Sequence, residues 1–198
     1  MEHFTYLKTD KKTAIILLDI WEEMEFGENP AEDMLAQLIE AKEQTVYLNP
    51  YINFCVDRLR EEGHLIIHAP CHGTHNHADE AAYRNADRIH DRSVGGPQSS
   101  SNAIIRQAED IVIAENDYLT ECPNQFFAIL EYHNIEKLVY IGYSLQWCIR
   151  TRPVGALVAI EQGYDVSIAA NLTRPFPTMD FDFAVKDMIR AGFTFTYI

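Results

Sequence analysis

Short apolar runs alternate with longer stretches of helical spacing along the chain, and this alternation restricts the fold more than any other feature of the sequence. The runs are rich in Val and Ile and do not alternate strictly with polar residues, as expected for strands of a parallel sheet that is covered on both faces. The six predicted strands are 13–19, 64–69, 110–114, 137–142, 165–170 and 193–198. The pattern therefore predicts a three-layer α/β/α fold with a single doubly wound, mainly parallel, six-stranded sheet.

The predicted helices lie between these strands and carry recognisable end signals. Pro30 and Pro123 each open a helix, because proline suits the first helical turn. Two later helices end at Gly163 and Gly192, since glycine readily adopts the left-handed conformation found after a helix C-terminus. No repeat, low-complexity tract or long linker divides the chain, so residues 1–198 are predicted to form one domain.

Charge and composition restrict the possible partners. The chain has 16 Lys and Arg against 30 Asp and Glu, and its net charge of −14 repels phosphate backbones and anionic lipid. We therefore expect no nucleic-acid or membrane partner, and the longest apolar runs are far too short to cross a bilayer. The polar first residues do not resemble a targeting segment, and four dispersed cysteines without a C-x-x-C pair favour free thiols in a cytoplasmic protein.

Residues that can carry chemistry follow three of the predicted strands. In an open parallel sheet, ligands bind beyond the carboxyl ends of the strands. Asp19 ends the first strand, His68 ends the second, and Cys148 follows the fourth strand by six residues. Asp19 is either a turn or helix-cap residue, or a base whose pKa rises in partly dry surroundings.

Cys148 has two interpretations of its own. Free cysteines are among the most buried residues of proteins, which favours a structural thiol. A predicted helix N-terminus and the nearby Arg150 and Arg152 instead favour a thiolate. The small residues Gly142 and Ser144 would let a substrate approach the backbone closely. Both roles remain open on these local features.

A histidine-rich segment follows the second strand. Imidazole nitrogens suit zinc or iron, and one loop could supply two or three ligands. The candidate ligands are His68, His72, His75, His77 and Asp79. Their spacing fits no sharp metal-binding motif, and a polar surface loop explains the same residues. We therefore expect no metal and no other cofactor, and a metal-dependent hydrolase remains a third alternative.

With these residues in view, the chain resembles the isochorismatase-like cysteine hydrolases, a superfamily that includes nicotinamidases and N-carbamoyl amide hydrolases. The similar segments are TAIILLDIWEEM, LREEGHLIIHAP and IEKLVYIGYSLQWCIRTRPVGALVAIEQGYDVSIAANLT, and together they extend the match over almost the whole chain. The resemblance implies hydrolysis of a small amide or related C–N substrate, with Cys148 as the nucleophile that forms a thioester and Asp19 as the proton shuttle. It also implies a homo-oligomer.

The resemblance assigns further residues to the site. It implies a non-proline cis peptide bond between Tyr143 and Ser144. The N–H groups of Ser144 and Cys148 would then form an oxyanion hole for the tetrahedral intermediate. The residues predicted to contact the small-molecule substrate are Trp21, His68 and Tyr118.

The chain departs from the family pattern at the third catalytic position. The family has a lysine at the end of the middle strand, and Glu115 stands there in this sequence. A carboxylate at that place would raise the pKa of the thiol, so Arg150, Arg152 or His68 would have to supply the missing positive charge. The departure leaves a second function open, in which a family member that has lost catalysis works as a small-molecule binding or interaction protein.

Overall fold

A computed structural model describes residues 4–8, 12–25, 47–70, 74, 80–92, 104–176 and 179–198, with the backbone alone for 21–25 and 104–107. The strands are β1 (Phe4–Tyr6), β2 (Thr13–Leu18), β3 (Trp21–Glu25), β4 (Leu65–Ala69), β5 (Ile104–Gln107), β6 (Tyr118–Leu119), β7 (Lys137–Gly142), β8 (Asp165–Thr173) and β9 (Thr194–Tyr197). Seven of them form one parallel sheet in the order β1-β9-β8-β7-β2-β4-β6, and β3 pairs with β5 in a separate antiparallel pair.

Helices cover both faces of the seven-stranded sheet. They are α1 (Asn49–Glu61), α2 (Ala81–Ile89), α3 (Pro123–Tyr132), α4 (Ala156–Glu161) and α5 (Phe181–Arg190), with a π-helical turn at Leu145–Ile149. Alternate residues of β2 belong to two separate apolar clusters, one shared with α1 and the other with α2 to α5. The predicted three-layer α/β/α arrangement is therefore confirmed. None of the helices that the structure describes is long and apolar enough to cross a membrane.

Five of the six predicted strands lie in the sheet, but the strand predicted at 110–114 is wrong. Side chains of α1 bind the backbone of this segment: Asn53 Nδ2 donates to the carbonyl of Asp110, and Asn53 Oδ1 accepts from the N–H of Val112. Those groups therefore do not pair with a strand. The neighbour of β4 is instead β6, and β1 adds a further edge strand, so the sheet has seven strands rather than six.

The predicted helices at 50–63, 123–134 and 182–192 are present as α1, α3 and α5. The continuous helix predicted after Cys148 is wrong, because a turn separates the π-helical turn from α4. Proline inside a helix removes a hydrogen bond and clashes with the preceding turn, and Pro153 occupies this break. The sequence pattern did not identify α2, and the helix predicted from Pro30 lies outside the described residues.

The carboxyl ends of β2 and β7 approach each other closely at Gly142. A Cβ atom at this position would lie 2.0 Å from the carbonyl oxygen of Leu18, and φ of Gly142 is +124°. Immediately beyond, Tyr143 N–H donates to that same oxygen at 3.1 Å. The residue directly after the end of β2 is Asp19, whose φ of 52° lies in the left-handed region that Asp tolerates better than most residues. This contact brings the two strand ends, and the residues that follow them, side by side.

Replacing Gly142 by Ala should prevent folding or lower the free energy of unfolding by more than about 4 kcal/mol, because backbone atoms of β2 would have to move. Gly63→Ala is the matched control, since Gly63 also has a positive φ but has open space around its Cβ position. There we expect only the backbone cost of roughly 1–2 kcal/mol. Urea denaturation followed by circular dichroism measures both, and equal losses would contradict the close approach.

Candidate active site

A buried ion pair lies at the carboxyl end of β2. Asp19 is 1% exposed, and its Oδ2 accepts a hydrogen bond from Nε of Arg152 at 3.0 Å. The Arg152 side chain is also largely buried, at 15% exposure. Because a carboxylate removed from water requires a compensating charge, the Arg152 guanidinium offsets part of the cost of burying Asp19.

The Cys148 thiol adjoins this ion pair. Cys148 is the fourth residue of the π-helical turn and is half-buried. Burial raises the pKa of its thiol well above the ordinary value, and the charge of Asp19 and a hydrogen bond to that carboxylate raise it further. Arg152 and the backbone N–H of Ser144 act in the opposite direction, but more weakly. At neutral pH the sulfur is therefore protonated, with a carboxylate in position to take its proton.

The backbone before Cys148 has the conformation that the resemblance implies. The peptide bond between Tyr143 and Ser144 is cis. The N–H of Ser144 hydrogen-bonds to the sulfur of Cys148 and lowers the pKa of the thiol. The loop is held at both ends, since Leu145 N–H donates to the carbonyl of Arg174 at 3.0 Å and Ile149 N–H to that of Ser144 at 3.1 Å. A backbone donor is thus fixed beside the thiol.

Three side chains could replace the family's lysine: Arg150, Arg152 and His68. Of these three, Arg152 binds Asp19. Arg150 instead forms an ion pair with Asp187 of α5, at 3.4 Å. His68 is fully buried and its Nε2 lies 2.9 Å from Oδ2 of Asp117. The two arginines are two positions apart, and side chains at this spacing in a helical segment point in different directions.

His68 belongs to a buried network on the α1 face of the sheet. Asp117 Oδ2 accepts from Nη2 of Arg60 at 2.6 Å as well as contacting His68. Burial alone would raise the pKa of Asp117, but hydrogen bonds from His68 and Arg60 outweigh it and lower the pKa. Sequence reasoning missed Arg60 and Asp117. The available signal in the sequence was Asp117, a carboxylate directly before the short strand β6. This signal is weak because its partners, His68 and Arg60, are far away in sequence.

The remaining predicted residues near β6 have other contacts. Tyr118 is half-buried, and its hydroxyl lies 2.8 Å from Nε2 of His133. Glu115 is exposed in the turn before β6, and its backbone carbonyl accepts from Asn85 Nδ2 at 2.9 Å. Among the described residues, Asp19, and not Glu115, is the carboxylate that raises the pKa of the Cys148 thiol.

Several predicted residues lie beyond what the structure describes. The backbone of Trp21 begins β3, but its side chain is outside the described set. Also outside it are His72, His75, His77 and Asp79. Within the described ranges, no group of three or more His, Cys, Asp or Glu residues could hold a metal ion. The prediction for the histidine-rich segment stays a prediction.

Solved structures show what the whole arrangement is similar to. An isochorismatase family protein from Desulfovibrio vulgaris is 16% identical, with 95% of each chain covered and a TM-score of 0.57. The chain has the isochorismatase-like fold. A pyrazinamidase of Pyrococcus horikoshii, solved in complex with zinc, is also 16% identical, covering 94% of this chain and 99% of the other at a TM-score of 0.55. A cysteine hydrolase from Pseudomonas syringae is 11% identical, covering 98% and 92% at 0.56.

No family model and no curated protein matches the sequence. The isochorismatase-like fold is therefore established by backbone geometry at low identity. This fold is the one that the resemblance implied, and the parallel sheet order agrees with it. Asp19 and Cys148, which are 129 positions apart, meet at the carboxyl edge of two adjacent strands of this fold.

Replacing Asp19 by Asn should speed the alkylation of Cys148 by iodoacetamide, because the change removes the charge and the accepting carboxylate that raise the thiol pKa. Asn tolerates the left-handed backbone of position 19 as well as Asp does. At pH 8 we expect the rate to rise by about threefold or more, equivalent to roughly half a pKa unit. Peptide mass mapping measures it, with Cys122 as the internal reference. A slower rate would contradict the described contact.

Proposed function

We propose that the protein is a cysteine hydrolase of the isochorismatase-like superfamily that cleaves a small amide or a related C–N bond through a thioester on Cys148. The observation that carries the proposal is the buried Asp19–Arg152 ion pair in contact with the Cys148 thiol. A thiol, a carboxylate and a guanidinium thereby lie together at the edge of the sheet where ligands bind in open α/β folds, and this supports the roles of nucleophile, base and cation. The hydrolase names of the structural neighbours support the same reaction class.

In the first half of the reaction, the sulfur attacks the amide carbonyl carbon while Asp19 takes the thiol proton. Because the thiol is protonated at rest, the base acts during the attack rather than before it. The carbonyl oxygen becomes an oxyanion, which would accept hydrogen bonds from the N–H groups of Ser144 and Cys148. The protonated Asp19 then gives its proton to the leaving nitrogen as the C–N bond breaks, and the thioester remains.

In the second half, Asp19 takes a proton from a water molecule as its oxygen attacks the thioester carbon. The C–S bond breaks, and a carboxylic acid is released. The proton held by Asp19 returns to the Cys148 sulfur, which restores the resting thiol. One carboxylate thus moves the proton in both directions.

In this mechanism, Arg152 takes over the charge of the family's lysine but cannot take over proton transfer. A guanidinium stays protonated at any ordinary pH, whereas an ammonium in a buried site can lose its proton. Arg152 would therefore pair with the Asp19 carboxylate before each attack and offset the negative charge that moves to the sulfur and then to the carbonyl oxygen. Proton transfer would rest on Asp19 alone.

A panel of small amides and N-carbamoyl compounds, including aromatic carboxamides, tests the proposal by ammonia release. Wild-type protein should hydrolyse at least one compound, and Cys148→Ala should lower its kcat to the background rate. Wild-type protein quenched in acid during turnover should carry an acyl adduct at Cys148, detected by peptide mass mapping. Cys122→Ala is the matched control, because Cys122 is half-buried at the start of α3. Hydrolysis that persists in Cys148→Ala would refute the mechanism.

A second candidate function is a small-molecule binding or interaction protein that has lost catalysis. The observation that favours it is the protonated thiol, together with Glu115 at the position of the family's lysine. For this function we expect no turnover and no acyl adduct with any compound of the panel, but an increase in melting temperature with some of them. An acyl adduct at Cys148 in the quenched wild-type sample excludes it.

A further inference from the structure

Arg152 reaches Asp19 from a tight turn that follows the π-helical turn. The N–H of Gly155 donates to the carbonyl of Arg152 at 2.7 Å and closes this turn over residues 152–155. The N–H of Arg152 itself donates to the carbonyl of Cys148 at 3.1 Å. The backbone of Arg152 is thus hydrogen-bonded both to Cys148 and to Gly155 at the end of the turn.

A buried tyrosine of β7 holds the middle of this turn. The hydroxyl of Tyr140 donates to the carbonyl of Val154 at 2.8 Å. Tyr140 is fully buried and Val154 is 5% exposed, so the bond is shielded from water. If the Tyr140 hydroxyl were removed, the buried carbonyl of Val154 would lose its hydrogen-bond partner. Because an unpaired buried carbonyl is costly, we expect the turn to shift from its position. Because β7 lies between β2 and β8, the bond connects the turn to the centre of the sheet.

Gly155 allows the turn to pack directly against the end of the π-helical turn. A Cβ atom there would lie 2.8 Å from the carbonyl oxygen of Ile149 and 2.9 Å from the backbone N and O of Arg152. Its φ is −83°, so the position needs space rather than the conformational freedom of glycine. Any larger residue would push against the backbone of Arg152 itself.

We propose that Tyr140 and Gly155 are positioning residues that fix the Arg152 guanidinium on Asp19. The hydrogen bond from Nε to Oδ2 is 3.0 Å long, and displacement by about 1 Å would end it. A displaced guanidinium would also lie farther from the thiol, so less of Cys148 would be ionised at a given pH. The catalytic meaning of this inference rests on the proposed function, but its effect on the thiol can be measured without turnover.

The variant Tyr140→Phe tests the inference through the alkylation rate of Cys148 by iodoacetamide between pH 7 and 10. We expect the rate at pH 8 to fall about threefold, because Arg152 no longer favours the thiolate. In an Arg152→Gln background, Tyr140→Phe should produce no further fall. Thr196→Val is the matched control: it removes another buried hydroxyl that donates to a backbone carbonyl, that of Thr5 at the sheet edge. It should leave the rate unchanged.

A merely structural role of Tyr140 would lower the melting temperature but change the alkylation rate equally in both backgrounds, and this result would overturn the inference. Gly155→Ala provides an independent variant and should reproduce the Arg152-dependent fall. If Tyr140→Phe does not fold, Gly155→Ala decides by the same criterion.

Amide hydrolysis separates this inference from the proposed function. Turnover by wild-type protein with unchanged alkylation and kcat in both variants overturns the positioning role alone. An Arg152-dependent fall in alkylation without turnover of any amide supports the positioning role and removes the proposed function.

Discussion

The ion pair between Asp19 and Arg152 is the interaction on which the rest of the site depends. Removing a charge from water costs several kcal/mol even after the protein relaxes, and a well-placed partner must offset this cost. Loss of one partner of such a pair destabilises a fold by about 3–5 kcal/mol. In this protein the buried pair lies at the carboxyl end of β2, a central strand of the sheet. The contact leaves a carboxylate beside a thiol, a combination suited to moving one proton.

The sequence was informative where local chemistry and sheet topology act together. The bounds of β7 agree with the predicted strand at 137–142, because a run of buried apolar residues ends at a glycine that the neighbouring strand requires. The proximity of Asp19 and Cys148 follows from a general rule, since the carboxyl ends of parallel strands share one edge. Neither conclusion needed the details of any side-chain contact.

Other features depend on contacts between residues far apart in sequence. The apolar run at 110–114 has the composition of a strand, but Asn53 binds its backbone from α1. His68 lies one residue before the end of β4, near the predicted strand end, but the partner of its ring is Asp117, which is 49 positions away. Arg152 rather than Arg150 binds Asp19, and Arg150 instead pairs with Asp187 of α5, which is 37 positions away. Propensity and periodicity report on neighbours in sequence, so they do not determine such choices.

The central claim is that Arg152 supplies the cation of a cysteine hydrolase. It is tested most directly by changing the charge at position 152. The measurement is kcat/KM of Arg152→Lys and Arg152→Gln with the amide that wild-type protein hydrolyses fastest, under conditions in which circular dichroism shows each variant to be folded. Arg152→Lys keeps a positive charge and should retain activity within about tenfold of wild type, whereas Arg152→Gln should lose about a hundredfold or more. Wild-type activity in Arg152→Gln would contradict the account.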